Sequence, residues 1–210
     1  MIEDDLRDRV LAWIADDPDE RDQAELTALL SAADSEADGE SGDETSSASA
    51  ELADRFGARL EFGTAGLRGA VAAGPNRMNR AVVRGTTAAL AGWLLYIDPE
   101  AATTGVVIGC DARHRSLEFS LEAACVLAGA GIAVRLLPPR LPTPLLAFAV
   151  RHLNAAAGIM ITASHNPPAD NGYKLYLGDG AQIIPPVDKQ IGTAIAELGD
   201  LSAVPVAGPD

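Results

Sequence analysis

At 210 residues and 48% hydrophobic content, the chain can build one sizeable domain with an appendage, and its composition excludes general disorder. The net charge of −14 is concentrated at one end: residues 1–54 carry 18 acids against 3 arginines, whereas residues 55–210 carry 12 acids against 13 basic residues. A broad basic face for nucleic acid is therefore excluded, no apolar run reaches membrane-spanning length, and the acidic start does not resemble a secretion leader, so a cytoplasmic protein is expected.

Leu6, Val10, Trp13 and Ile14 recur at helical spacing and predict an amphipathic helix over 4–15. Asp17-Pro18 reads as the cap and first turn of a second helix carrying Leu26, Leu29 and Leu30. Residues 31–50 offer nothing larger than alanine to bury and hold six carboxylates, which predicts a disordered acidic linker after a helical segment at 1–30. From residue 51 the pattern alternates. Asn79 caps a helix with a stripe of Val82, Thr86, Leu90, Trp93, Leu94 and Ile97, and Gly105–Gly109 is an apolar strand. Ser116 reads as the cap of a helix turning Leu117, Leu121, Ala124, Cys125 and Ala128 inward, followed by a strand at Ile132–Leu137. Thr143-Pro144 opens another helix, Ala157–Thr162 is a buried strand, and Tyr173–Leu177 with Ala181–Ile184 suggest a hairpin. Pro185-Pro186 starts a last helix, and 199–210 reads as a tail entering an interdomain linker. Cys110 and Cys125 form neither a disulfide framework nor a metal motif. The alternation over 51–198 predicts an α/β fold, a three-layer α/β/α sandwich with a largely parallel sheet.

Ligands of such sheets gather beyond the carboxyl ends of the strands. Two loops there are chemically unusual: Cys110–Arg115 (CDARHR) and Ala163–Gly172 (ASHNPPADNG). Ser164 beside His165 is not a nucleophile–base pair by adjacency, since neighbours in extended chain point apart, and no G-x-S-x-G elbow surrounds it. A hydrolase is thus disfavoured, and with no G-x-G-x-x-G between strand and helix a dinucleotide-binding domain is weaker still. The two prolines after Asn166 stiffen the loop, and Gly172 turns the chain before Lys174 re-enters a strand, an arrangement suited to holding a reactive hydroxyl.

The run Gly158–Pro168 (GIMITASHNPP), continued by Asn171-Gly172-Tyr173-Lys174, resembles the active-site signature of the α-D-phosphohexomutases, the phosphoglucomutase/phosphomannomutase family. Glu61–Gly69 (EFGTAGLRG), Asn76–Asn79, Val107–Arg113 and Pro142-Thr143-Pro144 agree in order, and the likeness is greatest to the bacterial phosphoglucomutase branch, which includes phosphopentomutase-like enzymes. The resemblance implies an enzyme in which Ser164 is phosphorylated and exchanges its phosphoryl group with a phosphosugar through a bisphosphate intermediate, interconverting hexose 1-phosphate and hexose 6-phosphate. It implies roles for Arg68 in neutralising phosphoryl charge, for Lys174 as acid/base or electrostatic partner, and for His165 as a neighbour of the phosphate. Asp111, Arg113 and Asn166 are candidates for substrate binding, with a structural salt bridge or loop anchor left open for the first two. Mg²⁺, held in part by the phosphorylated Ser164, and a glucose 1,6-bisphosphate-type activator are the implied cofactors. The family's aspartate-rich metal loop, its sugar-hydroxyl loop and its later phosphate-binding loop do not occur in this sequence. The chain is accordingly expected to be an N-terminal portion that needs the remaining mutase domains as partners, or a non-catalytic domain that binds phosphosugar or another chain. Ser164, Arg68 and Lys174 are expected to converge at one edge of the sheet.

Overall fold

The structure, a computed structural model, describes residues 3–37, 47–63 and 66–208. Helices α1 (Asp4–Asp16), α2 (Glu20–Ala37) and α3 (Ala48–Gly57) come first, then β1 (Leu67–Ala70), α4 (Arg80–Ile97) and the single-turn α5 (Ala101–Thr104). The rest follows as β2 (Val106–Cys110), α6 (Ser116–Gly129), β3 (Val134–Leu136), α7 (Thr143–His152), β4 (Ala157–Ile161), β5 (Asp170–Leu177) and α8 (Val187–Ala196). A 3-10 turn at Leu201–Ala203 closes the order.

The five strands form one sheet in the order β1-β5-β4-β2-β3. Strands β4, β2 and β3 are mutually parallel, and β5 runs antiparallel to both β4 and β1. Period-two alternation sorts the side chains. Ile108, Ile159, Ile161, Tyr173 and Leu175 bury against α4, α6 and α8, while Val107, Met160 and Tyr176 face α7. The result is the three-layer α/β/α sandwich with a mixed sheet that the alternation predicted. Gly158 lets α7 approach, because a Cβ there would stand 2.4 Å from a Val150 methyl.

The N-terminal helices bury Leu6, Val10, Leu26, Leu30, Ala33, Leu52 and Phe56 in a second core that also takes in Ala73 of the main domain. The acidic segment is therefore shorter than composition alone suggested. Residues 31–37 are helical with Ala33 buried, and α3 begins at Ala48, whose N–H bonds a Glu36 carboxylate oxygen at 2.6 Å. The centre of the expected linker, 38–46, lies outside the described residues. Residues 199–208 are also better fixed than a linker tail: Asp16 accepts from the N–H groups of Leu201 and Ser202, and Ala207 N–H bonds the Cys125 carbonyl.

Asn79 caps α4 as expected, its Oδ1 accepting from Val82 N–H at 2.9 Å. Four other readings change. Asp17 does not cap α2, which starts at Glu20; its carboxylate turns inward to the Trp13 indole and the Asp19 N–H. Ser116 is the first residue of α6 rather than its cap, and its hydroxyl is spent on Asp111. Helix α6 is also rotated from the expected face: Phe119, Ala123 and Leu127 are inside, and Leu117 and Leu121 are exposed. A helix apolar nearly all round has no single stripe, so the bulky Phe119 decides which side packs. Finally, 181–184 returns beside β5 through Leu177 N–H to Ala181 O and Ile183 N–H to Leu175 O without forming a strand.

Candidate active site

Strand β4 delivers the chain at Ile161 into the loop that carries Ser164. Ser164 has φ of 56°, a left-handed conformation that costs a non-glycine residue about 1–3 kcal/mol and persists only where the surroundings impose it. The surroundings are specific. Ser164 N–H bonds Thr162 Oγ1 at 3.0 Å, and that hydroxyl donates to Asp111 Oδ2 at 2.6 Å. Asp111 also accepts from Ser116 Oγ at 2.7 Å and Arg113 N–H at 2.9 Å. From the other side the Arg113 guanidinium donates to the carbonyls of Ser164, Asn166, Pro167 and Asp170 at 2.7–3.0 Å. The backbone of the serine loop is thus gripped by a single arginine.

The Ser164 hydroxyl itself is exposed and accepts a hydrogen bond from Lys174 Nζ at 2.7 Å. Lys174 is a mid-strand residue of β5, paired with Met160 of β4 and only 8% exposed. Burial, with the Arg68 charge added, lowers its pKa from the ordinary lysine value. Arg68 on β1 lies opposite Gly172 of β5, and Gly172 O accepts from Thr162 N–H at 2.9 Å. Arg68, Gly172 and Thr162 therefore form one row across three chain segments, two residues from Lys174 on the same face. Gly172 keeps that row open: a Cβ there would come within 2.6 Å of Leu67 O, 2.8 Å of Thr162 O and 3.2 Å of Arg68 Cγ. Arg68 Nε is buried without a hydrogen-bond partner, and among the described residues neither Arg68 nor Lys174 is paired with a carboxylate. Two cations with no carboxylate partner among the described residues, beside the hydroxyl of one exposed serine, make a site complementary to a hydroxyl-borne anion.

The expected convergence of Ser164, Lys174 and Arg68 is the arrangement found, with His165 exposed next to the serine. For Asp111 and Arg113 the contacts seen are those of the loop-anchor alternative, and Asn166 makes a contact of the same kind. Their polar groups hold the loop: Asp111 and Arg113 as described, and Asn166 through Nδ2 to Asp170 Oδ2 at 3.0 Å. Sequence reasoning gave Thr162 and Asn171 no individual part in the site and read Ser116 only as a helix cap. Asn171, fully buried, donates to His114 O and Ser116 Oγ and so joins the two loops. Thr162 and Asn171 lie inside the signature run, which was the available signal.

A magnesium ion wants several hard oxygen ligands. Among the described residues no group of three or more His, Cys, Asp or Glu is arranged to hold a metal. Asp111 and Asp170 are already committed to hydroxyl, amide and N–H donors. These residues do not form a cage by themselves; an oxygen carried on Ser164 is the one ligand they could offer.

The model of the family described as phosphoglucomutase/phosphomannomutase, alpha/beta/alpha domain I, matches residues 59–201. The chain belongs to the phosphoglucomutase/phosphomannomutase family. Within that family it is 39% identical over 197 residues to the phosphoribomutase of Saccharomyces cerevisiae, covering 92% of this chain and 29% of that protein. It is 47% identical over 153 residues to human phosphopentomutase (70% and 25%) and 43% identical over 150 residues to a Staphylococcus aureus phosphoglucomutase (71% and 27%). A solved phosphomannomutase-type structure from Thermus thermophilus superposes with a TM-score of 0.62 at 36% identity, over 72% of this chain and 32% of that one. The chain thus spans about a quarter to a third of the length of these phosphomutase relatives. No helix among the described residues is long and apolar enough to cross a membrane.

Proposed function

We propose that this chain carries the phosphoryl-accepting half of a phosphosugar mutase acting on hexose 1-phosphate and hexose 6-phosphate. Ser164 Oγ takes a phosphoryl group from a sugar bisphosphate, the hydroxyl proton leaves through Lys174 or solvent, and the sugar departs as the monophosphate. In reverse, the phosphoserine passes its phosphoryl group to the free hydroxyl of a bound monophosphate. Arg68 and Lys174 offset the charge that spreads over the phosphoryl oxygens during transfer, which is most of what such a reaction asks of a protein. One observation carries the reading: the hydroxyl of exposed Ser164 held 2.7 Å from a buried lysine, with a second cation in the adjoining row that has no carboxylate partner among the described residues.

The sugar-recognising and metal-holding parts are assigned to further domains, consistent with the much greater length of the relatives. The 210 residues alone should then accept phosphate without turning over substrate. Incubation with glucose 1,6-bisphosphate followed by intact-mass and peptide analysis should show one phosphoryl group on Ser164, absent from Ser164→Ala. A chain that stays unmodified would count against the reading. The alternative, a non-catalytic domain that binds phosphosugar or another chain, predicts saturable binding of glucose 1-phosphate with no mass change. A full-length protein assayed on glucose 1-phosphate and ribose 1-phosphate would decide between hexose and pentose.

A further inference from the structure

We propose that Arg115 is a positioning residue through which the start of helix α2 braces the serine loop, so that the N-terminal helices are part of the support of the site and not an appendage to it. The proposal rests on the phosphoryl-transfer reading for its functional weight, though its geometry stands independently.

Arg115 has φ of 61°, a left-handed conformation at the residue just before α6. With no glycine to ease it, this conformation needs an external cause. Its side chain supplies one. The guanidinium, 7% exposed, donates to Asp22 Oδ1 at 2.7 Å, to Asp19 Oδ2, and to Glu118 Oε1 at 2.6 Å, and lies 5.1 Å above the Phe119 ring. Asp19 and Asp22 belong to the first turn of α2 and the residue before it; they are themselves buried, and Arg21 ties Asp19 to Glu118. A guanidinium meeting three carboxylates in a nearly dry setting is a fixed point, unlike an exposed pair.

What this point holds is the loop between β2 and α6. Arg113, two residues earlier, makes the four bonds to the serine-loop carbonyls, and Ser116, one residue later, bonds Asp111 Oδ1. The left-handed turn at 115 lets Arg113 and Ser116 both reach toward the serine loop, Ser116 Oγ accepting from Asn171 Nδ2, while Arg115 reaches α2. Loss of the Arg115 anchor should relax the turn and loosen the grip of Arg113. Ser164 and its contact with Lys174 would follow.

The test uses the 210-residue chain. Arg115→Gly keeps the left-handed backbone conformation without strain while removing the whole side chain, guanidinium included. It should accelerate amide exchange across 163–171 by about tenfold or more while the β2 and β4 amides keep their protection. The Lys174 Cε and Ser164 Cβ resonances, compared by NMR at one fixed pH, should move from their wild-type positions as the Nζ–Oγ contact loosens. Phosphoryl uptake from glucose 1,6-bisphosphate should slow in parallel. If the wild-type chain takes up no phosphate, the functional reading fails while exchange and the two resonances still decide the positioning. Faster exchange confined to α1 and α2, with the Lys174 and Ser164 resonances unmoved, would overturn the proposal. Should Arg115→Gly not fold, Asp19→Asn with Asp22→Asn breaks the same anchor from the other side, and the same two readouts apply.

Discussion

Two sets of buried or half-buried cations in this molecule are treated in opposite ways. On the α6 side, Glu122, 3% exposed, receives Arg80 at 2.6 Å and Arg84 at 2.6 Å, and Arg115 meets three carboxylates. At the serine loop, Arg68 and Lys174 stand near each other without any carboxylate partner among the described residues. Paired charges fix elements together, whereas adjacent unpaired cations repel and persist only because the fold holds them. The second arrangement is costly unless an anion arrives, and that is the sense in which the site is built for a phosphoryl group.

The comparison breaks most sharply at the chemistry. Ser164→Ala should abolish phosphoryl uptake, and Lys174→Ala should slow it by about 10²–10³-fold, a loss typical of a group aimed at developing charge. Lys174→Ala should leave the folded state intact or more stable, because it removes an unpaired buried cation. The same removal on the other side does the reverse. Glu122→Gln leaves Arg80 and Arg84 without their counter-ion and should cost about 2–3 kcal/mol in urea unfolding, since breaking one side of a largely buried pair is expensive. Equal stability changes in the two variants would remove the distinction between the regions.

A smaller effect is expected from Gly172→Ala. The added methyl meets two carbonyl oxygens and the Arg68 stem, so either the strands part or Arg68 swings away. Overpacking of this kind costs about 1–3 kcal/mol. Phosphoryl uptake should fall by more than the stability loss explains; uptake at the wild-type rate would show that the Arg68 row is not needed.

How much of this was legible beforehand depends on sequence distance. The α/β/α layering, the Asn79 cap and the Ser164 loop at the end of β4 are written in local patterns: period, cap residue and a long signature run. The convergence of Arg68 with Ser164 was readable through the resemblance alone. The face of α6 was not readable, because its residues are apolar on most sides and packing against the sheet selected Phe119. Nor was the role of Arg115: its partners Asp19 and Asp22 lie 96 and 93 positions away, inside a run whose acidity looks like a solvated surface. Composition averaged the buried aspartates with the exposed ones and hid them. Arg113 presents the same problem in milder form, since a guanidinium that binds carbonyls and one that binds a phosphate look alike in sequence.

The smallest expected effect concerns those buried aspartates and runs against habit. Asp17 is 3% exposed, and burial, only partly offset by the bond from the Asp19 N–H, raises its pKa to about 6. Asp22, facing it, is also raised by burial despite Arg115. Asp19 goes the other way: burial pushes it up, but the Arg21 hydrogen bonds and the Arg115 charge outweigh this and leave it below the ordinary value. A carboxyl whose pKa is higher in the folded state than in the unfolded one binds its proton more tightly when folded. Stability must therefore rise as pH falls from 7 to 5, by about 1 kcal/mol for Asp17. Asp19 opposes this only below the ordinary aspartate pKa, where its pairing with Arg115 and Arg21 is lost. Urea unfolding followed by Trp13 fluorescence should give a higher midpoint at pH 5 than at pH 7, with the slope flattened in Asp17→Asn. A midpoint that falls steadily from pH 7 to pH 5 would mean that the paired carboxylates, and not the buried ones, govern the N-terminal helices.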